Sequence, residues 1–467
     1  MLLRCGDTFH GLLTDGGGRW EKSGRSATER MLVSSYSSGP RPVIDSGAGN
    51  GFFTPVGVGS VASNLALVGL DFYCSGNSGA SVSTGILVFG STHNFLVEDC
   101  RVRNYSTAGI VLQGTGGRHS HAAIRRSVVV DTWTTSTFTG NGIYVEATDG
   151  VLIEECVIDA NGWTSAHPHG SDGPGHNMYI HNDNTGVMIR GNIVSDSDGL
   201  QLSSGGVCTN NLFMRNAISF EMGAGTNPNP GGVSGQIDGN VILDGNDFPG
   251  NVSGGSGARG WGYVLGNCVG VSMTNNIVAH NVTGSSPRPV VLNFQNNGNP
   301  QGLQNVTLDH NVVYDWGSNG SGAQVASYQM FVILNLTLSN NDIQDTVDAN
   351  YLASLSASNN LAGQIHGSNN RWFGSSNPNQ MFQLAGVAMS FPGFLSAIGD
   401  TTSTFEQVQY PDAGRTIATY HASIGGAASL SAFIAQARTQ SRTNWRLEYT
   451  AKVVNDYIRA GFGLPPM

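Results

Sequence analysis

Histidine gathers between residues 167 and 181 of this chain, as His167, His169, His176 and His181, with Asp172 and Tyr179 among them. Imidazole titrates near neutral pH and a phenol can return a proton. A His/Tyr pair two residues apart on a strand therefore suits general acid–base chemistry. Glu146 and Glu221 are the carboxylates to set beside that pair, Glu146 to fix the tautomer of His181 or raise its pKa and Glu221 as a second acid. Tyr144, Gln201, Ser203, His169, Asp172, His176, Arg215 and Arg259 could hold a polar ligand, and Trp163, Trp261 and Phe248 offer flat faces for stacking. A solvated Gly/His loop explains His167 and His169 equally well, and an ordinary outward pair explains Tyr179 and His181. Which reading holds depends on what brings these residues together.

The positioning element is a repeat. Asn192, Asn211, Asn240, Asn276, Asn311, Asn341 and Asn370 each follow a short alternating run and precede an apolar pair, and Cys100, Ser127 and Cys156 hold the same slot upstream. The spacing varies from 19 residues (Asn192 to Asn211) to 36 (Asn240 to Asn276), which is the pattern of a solenoid whose turns differ while its core does not. Each coil reads as three short strands. A buried amide at the corner can bond to its equivalents one rung away and tolerates a bent backbone. Aligned by this slot, the outward side chains of the first strand form two columns. One is Phe89, Gln113, Glu146, His181, Ser203 and Glu221; the other is Leu87, Val111, Tyr144, Tyr179, Gln201 and Ser219. Rungs are about 4.8 Å apart, so column neighbours can act together. The turns before Leu200 and Ile218 are minimal, while those before Met178 and Gly262 are long. Two low coils between two tall loops predict a groove suited to an extended polymer, floored by Tyr179, His181, Gln201, Ser203, Ser219 and Glu221.

Composition bounds the partners. A net charge of −10, with lysine only at Lys22 and Lys452, argues against nucleic acid, and no apolar run reaches the length of a membrane span. The 65 glycines suit many tight turns. Cys100 and Cys156 sit two coils, or roughly 10 Å, apart, beyond disulfide reach, so most thiols are expected to be small buried hydrophobes. The chain starts in strand-like sequence, consistent with a leader removed before Met1 or with truncation; the expected location is secreted or periplasmic. Residues 1–409 read as the solenoid and 410–467 as a helical tail packed on it, with helices from Ser429 to about Arg442 and from Tyr449 to Ala460.

Over roughly residues 60–375 these repeats resemble the right-handed parallel β-helix proteins of the pectate-lyase-like superfamily. The resemblance implies an all-β fold and catalysis on the first sheet beside its entering turns. It leaves three chemistries open. In β-elimination from a uronic-acid polymer, His181 and Tyr179 would be base and acid, with Gln201 and Arg215 or Arg259 on the carboxylate; the same parts would serve a C5-epimerase. Glycoside hydrolysis needs two carboxyls roughly 5–10 Å apart, and Glu146 and Glu221, three coils or about 14 Å apart, are too distant unless Asp172 or Asp247 partners Glu221. A non-catalytic glycan-binding or tailspike-like module would present the same groove. The leading expectation is a monomeric polysaccharide lyase without a cofactor. Calcium at Asp172, Asp183, Asp196 or Asp198 is the alternative that the resemblance supplies.

Overall fold

A computed structural model describes residues 1–16, 18–54, 62–135, 140–162, 175–223, 228–246, 260–281, 288–292, 301–316, 323–327, 332–347, 351–375 and 379–467. The fold is a right-handed parallel β-helix in which each coil gives one strand to each of three parallel sheets. The chain divides into two compact units, Met1–Ser197 with Ile424–Ala451, and Asp198–Phe248 with Ser256–Ser423 and Lys452–Met467.

A coil of the first unit shows why the sequence folds this way. Its strands are Asn141–Glu146, Thr148–Glu154 and Val157–Asp159. Alternation sends Ile143, Val145, Ile153 and Ile158 inward, where all four are fully buried. The neighbouring coil stacks in register, Val111 on Tyr144 and Gln113 on Glu146.

The ladder forms as expected in the second unit, but the bend lies elsewhere. Asn240 N–H and Nδ2 both donate to Asn276 Oδ1 (2.9 and 3.0 Å), and Asn276 N–H and Nδ2 to Asn311 Oδ1 (3.0 and 2.9 Å). Asn311, Asn341 and Asn370 continue the series, and Ser403 Oγ adds a rung beyond Asn370 (2.8 Å from its N–H). In the first unit Asn192 Oδ1 accepts from Cys156 N–H (2.9 Å), and Ser127 Oγ accepts from Cys100 N–H (3.2 Å). The left-handed backbone belongs to the residue before each slot: Asp99 (φ 54°), Arg126 (46°), Glu155 (53°), Asn210 (51°), Asn275 (56°) and Asn340 (54°). The amide itself is therefore retained for bonding, and the corner is bent by whichever residue precedes it. All six cysteines are free, and burial pushes the Cys100, Cys156 and Cys268 thiols up to about 12.

The C-terminal end of the stack is covered. Phe382–Leu384 pairs antiparallel with Val387–Met389, and helix α1 (Phe391–Ile398) packs Phe394 on Phe382 and Trp372 at ring-centroid distances of 4.7 and 5.8 Å. This helix and α2 (Ile417–Ser423) were not foreseen from the sequence. Helix α3 (Leu430–Ala437) is capped by Ser429, where the helix was expected to start, but stops at Arg438, short of the expected Arg442, and the Arg438 guanidinium pairs with Asp159 and Asp131. Helix α4 (Ala451–Gly461) starts after a 3₁₀ turn at Leu447–Tyr449, and Asn455 Nδ2 donates to Asn210 Oδ1 (2.8 Å). Among the described residues no helix is long and apolar enough to cross a membrane.

Candidate active site

Three strands of the first unit build the site: Ala108–Gln113, Asn141–Glu146 and His176–Ile180. Met178 and Ile180 are wholly buried, which leaves Tyr179 pointing out, in register with Tyr144. His181 N–H donates to Val145 O (2.8 Å), so the imidazole follows the strand one step further and stands beside Glu146. Tyr144, Glu146, Tyr179 and His181 are all half-buried. Their rings form a cluster: Tyr144 and Tyr179 meet edge-on at 5.4 Å, Tyr179 and His181 at 6.1 Å, and His176 and Tyr179 at 5.5 Å. A cleft of about 400 Å³ on the same face is lined by Leu87, Phe89, Val111, Gln113 and Tyr144.

The expected Glu146–His181 link is replaced by another. His181 Nδ1 lies 3.1 Å from Asp183 Oδ1, and Glu146 Oε2 instead accepts from Gln113 Nε2 and Tyr144 Oη, both at 2.8 Å. The reason is local: Asp183 sits in the turn two residues on, where its carboxylate bends back and also accepts from Ala147 N–H (3.0 Å). Arg118 braces this turn by donating to Asp183 O (2.8 Å). Burial would raise the Asp183 pKa, but the Ala147 N–H and His181 outweigh it and hold the carboxyl below its ordinary value. A carboxylate on Nδ1 assigns the proton there and leaves Nε2 as the basic nitrogen. Burial, and then the Glu146 hydrogen bond, raise the Tyr144 pKa, so that phenol stays protonated. Glu146, His181 and Asp183 each offer a ligand atom, all within 4.8 Å of one another, and could together hold a divalent cation in place of these hydrogen bonds.

Other expected residues fall elsewhere. Gln201 pairs with Glu221, not Ser219, so the two columns of the second unit are corrected by two residues. Three residues (215–217) join Leu212–Met214 to Ile218–Met222, against two (196–197) before Asp198–Leu202, and turn length, not alternation, sets the offset. Gln201 and Ser203 are 7% and 3% exposed and bond to each other (3.1 Å), and Ser219 is fully buried, so none of the three lies open on a groove floor. The next outward positions after Glu221 are Val264 and Val291, which form a buried cluster with Ile218 and Trp261. Trp261 is thus a strand residue packed under Arg288 (5.6 Å), not part of a loop wall. Its coil begins at Trp261 itself, opposite Ile218, which leaves the indole no loop to stand on. Asp198 is buried and accepts from Ile218 N–H (3.3 Å). Trp163, His167, His169, Asp172, Asp247, Phe248 and Arg259 lie outside the described residues.

Arg215 occupies a corner with φ 50° beside Asp244, a carboxyl that the sequence reading passed over. Burial pushes Asp244 up to about 6, with Arg215 partly opposing. A carboxyl whose folded pKa is raised favours the folded state while protonated, so its cost appears as pH rises from about 4 to about 6. Asp244→Asn should therefore stabilise the protein at pH 7 by about 1–3 kcal/mol, the linkage value for a shift of this size with some allowance for partial exposure. The gain should vanish below pH 4. Thermal melts of both proteins from pH 3.5 to 7.5 check this, and a pH-independent difference would refute it.

No family model matches the chain, and no curated protein matches it. Solved structures are similar to it in fold. A mannuronic acid specific polysaccharide family 6 lyase enzyme from human gut microbiota is 12% identical, with 87% of this chain and 86% of that chain covered and a TM-score of 0.48. The tailspike protein of E. coli bacteriophage HK620, in complex with pentasaccharide, is 14% identical, with 80% and 60% covered and a TM-score of 0.38. GH136 lacto-N-biosidase from Eubacterium ramulus is 11% identical, with 87% and 61% covered and a TM-score of 0.33. The chain thus spans 60% of the tailspike and 61% of the biosidase.

Proposed function

We propose that this protein is a polysaccharide lyase that cleaves a uronic-acid-containing polymer by β-elimination on the outward face carrying Tyr144, Glu146, Tyr179 and His181. The observation that carries the reading is the His181–Asp183 contact, which leaves Nε2 as a base beside a second phenol, Tyr179. His181 Nε2 would take the proton from C5, the electron pair would form the C4–C5 double bond, and the C4–O bond would break. Tyr179 would protonate the departing oxygen. Tyr144 and Gln113, both anchored on Glu146, would shape the sugar subsite, and the cleft at Leu87, Phe89 and Val111 would accept the flanking residues.

Hydrolysis has one observation in its favour, the proximity of the Glu146 and Asp183 carboxylates. Yet a retaining pair needs one carboxyl kept protonated. Asp183 is held below its ordinary pKa, so it does not suit the role of that acid. Incubation with a panel of uronate and neutral polysaccharides tests the reading. New ultraviolet absorbance from an unsaturated uronate is the expected result. Reducing ends without that absorbance would mean hydrolysis, inverted C5 configuration in an uncut polymer would mean epimerisation, and binding without product would mean a glycan-binding module.

A further inference from the structure

A second cleft, of about 530 Å³, lies in the first unit where the segment after α3 crosses the coils, and arginines converge on it from both sides. Arg41 and Arg101 come from the coils, Arg438 and Arg442 from that segment. Three of the four are committed. Arg41 donates to the Asp99 carbonyl (2.6 Å) and carboxylate (2.5 Å) and to Gln440 O (2.9 Å). Arg438 pairs with Asp131 and Asp159, and Arg442 donates to Ser35 Oγ (2.6 Å) and lies 3.6 Å from Asp99 Oδ2.

Arg101 is different. Its Nε is enclosed and has no hydrogen-bond partner among the described residues. The acid in register with it one coil away, Asp71, is taken by Arg103 through Nε (3.0 Å) and Nη2 (3.3 Å), and that guanidinium also stacks on Tyr73 at 3.8 Å. Around the cleft, Arg41, Arg101, Arg103, Arg438 and Arg442 face Asp71, Asp99, Asp131 and Asp159, which leaves one positive charge in excess. A guanidinium stays charged, and Arg101, half-buried with Asp71 and Asp131 acting on it only at a distance, keeps an enclosed Nε that an anion in the cleft would supply.

We propose that this cleft is an anion-binding site in which Arg101 receives an oxyanion. The volume exceeds that of a lone tetrahedral anion and lies in the range of small-ligand pockets. The cleft has room for the oxyanion of an acidic sugar residue as well as for free phosphate or sulfate. The site is independent of the elimination chemistry at His181.

Full-length protein titrated with galacturonate, with inorganic phosphate and with sulfate, each against sodium chloride at matched ionic strength, tests this by thermal melting and calorimetry. At least one anion should give a saturable rise in Tm, and Arg101→Met should weaken its binding by about tenfold or more, the loss expected for a charge-assisted hydrogen-bonded pair. Without ligand, Arg101→Met should melt close to the wild type, because Arg101 is half-buried and makes no hydrogen bond through Nε among the described residues. A stronger response to galacturonate identifies the sugar as the source, and a stronger response to phosphate or sulfate identifies the free anion. Wild-type protein that responds no more than to chloride overturns the proposal, as does an equal response in both proteins. Should Arg101→Met fail to fold, the wild-type titration and Arg101→Lys, which keeps the charge but loses the planar fork, decide it: unchanged affinity in Arg101→Lys counts against the site.

Discussion

His181→Ala should lower kcat on the cleaved polysaccharide by about 10³-fold, within the usual range for removing a general base, while circular dichroism and melting temperature stay close to wild type. The fold should tolerate the change because His181 is half-buried, on the outward face, and follows the last inward residue of its strand, Ile180. Tyr179→Phe should cost a similar factor if its hydroxyl protonates the leaving oxygen. Asp183→Ala separates positioning from catalysis. Without the carboxylate on Nδ1, the imidazole loses its orientation. The rate should fall by about 10–100-fold. Should His181→Ala keep a tenth of wild-type turnover, the base is another residue.

Replacing Asn276 with alanine should be among the most destabilising single changes in the chain. Asn276 Oδ1 accepts from Asn240 N–H, Asn240 Nδ2 and Tyr263 Oη (3.2 Å), and its Nδ2 donates to Ile237 O (3.0 Å) and to Asn311 Oδ1. These partners are fully or almost fully buried, so none gains water when the amide goes. At about 1–3 kcal/mol for each orphaned group, the loss should reach roughly 4 kcal/mol after relaxation. Urea unfolding should show a lower midpoint, and Asn276→Asp should not rescue it, since a buried carboxylate keeps the acceptor but loses the Nδ2 donor and sets its second oxygen against Ile237 O and Asn311 Oδ1. A loss below 1 kcal/mol would mean the rungs are satisfied independently of one another. Asn305→Ala is the surface comparison, because that residue is exposed; its positive φ (51°), which Asn276 lacks, adds a small backbone cost of its own.

The fold was legible because the ladder repeats one word, and each copy fixes the faces of the strands around it. What the word cannot fix is register to within two residues. A slip of two leaves every side chain on its own face, so alternation accepted Ser219 opposite Gln201 when the structure pairs Gln201 with Glu221. In the first unit the same reasoning succeeded, placing Tyr144 beside Tyr179 and Glu146 beside His181. Asp183 was named only as a calcium candidate, and its place beside His181 escaped for a different reason. It belongs to a turn, and nothing in periodicity shows a turn residue reaching back; the His-x-Asp spacing at the end of a strand was the only available sign. Trp261 was misread because the long turn before it obscured where the strand begins. Asp244 gave no signal at all, since its raised pKa comes from burial at a corner.

The amides of the second unit all face the same way. Each hands its N–H groups forward, from Asn211 through Asn370, to the carbonyl oxygen of the next. Asn370 Nδ2 donates to Ser403 Oγ, and Ser403 donates to the Asp400 carboxylate, which also accepts from the Thr402 and Ser403 N–H groups. The row is therefore a vector with a terminus: its donating end closes on an anion that only accepts. A coil duplicated anywhere between Asn211 and Asn370 would inherit the polarity and splice into the row. One appended after Ser403 would meet a carboxylate already supplied with donors. Growth of this solenoid by internal duplication is open, and growth past Asp400 is closed.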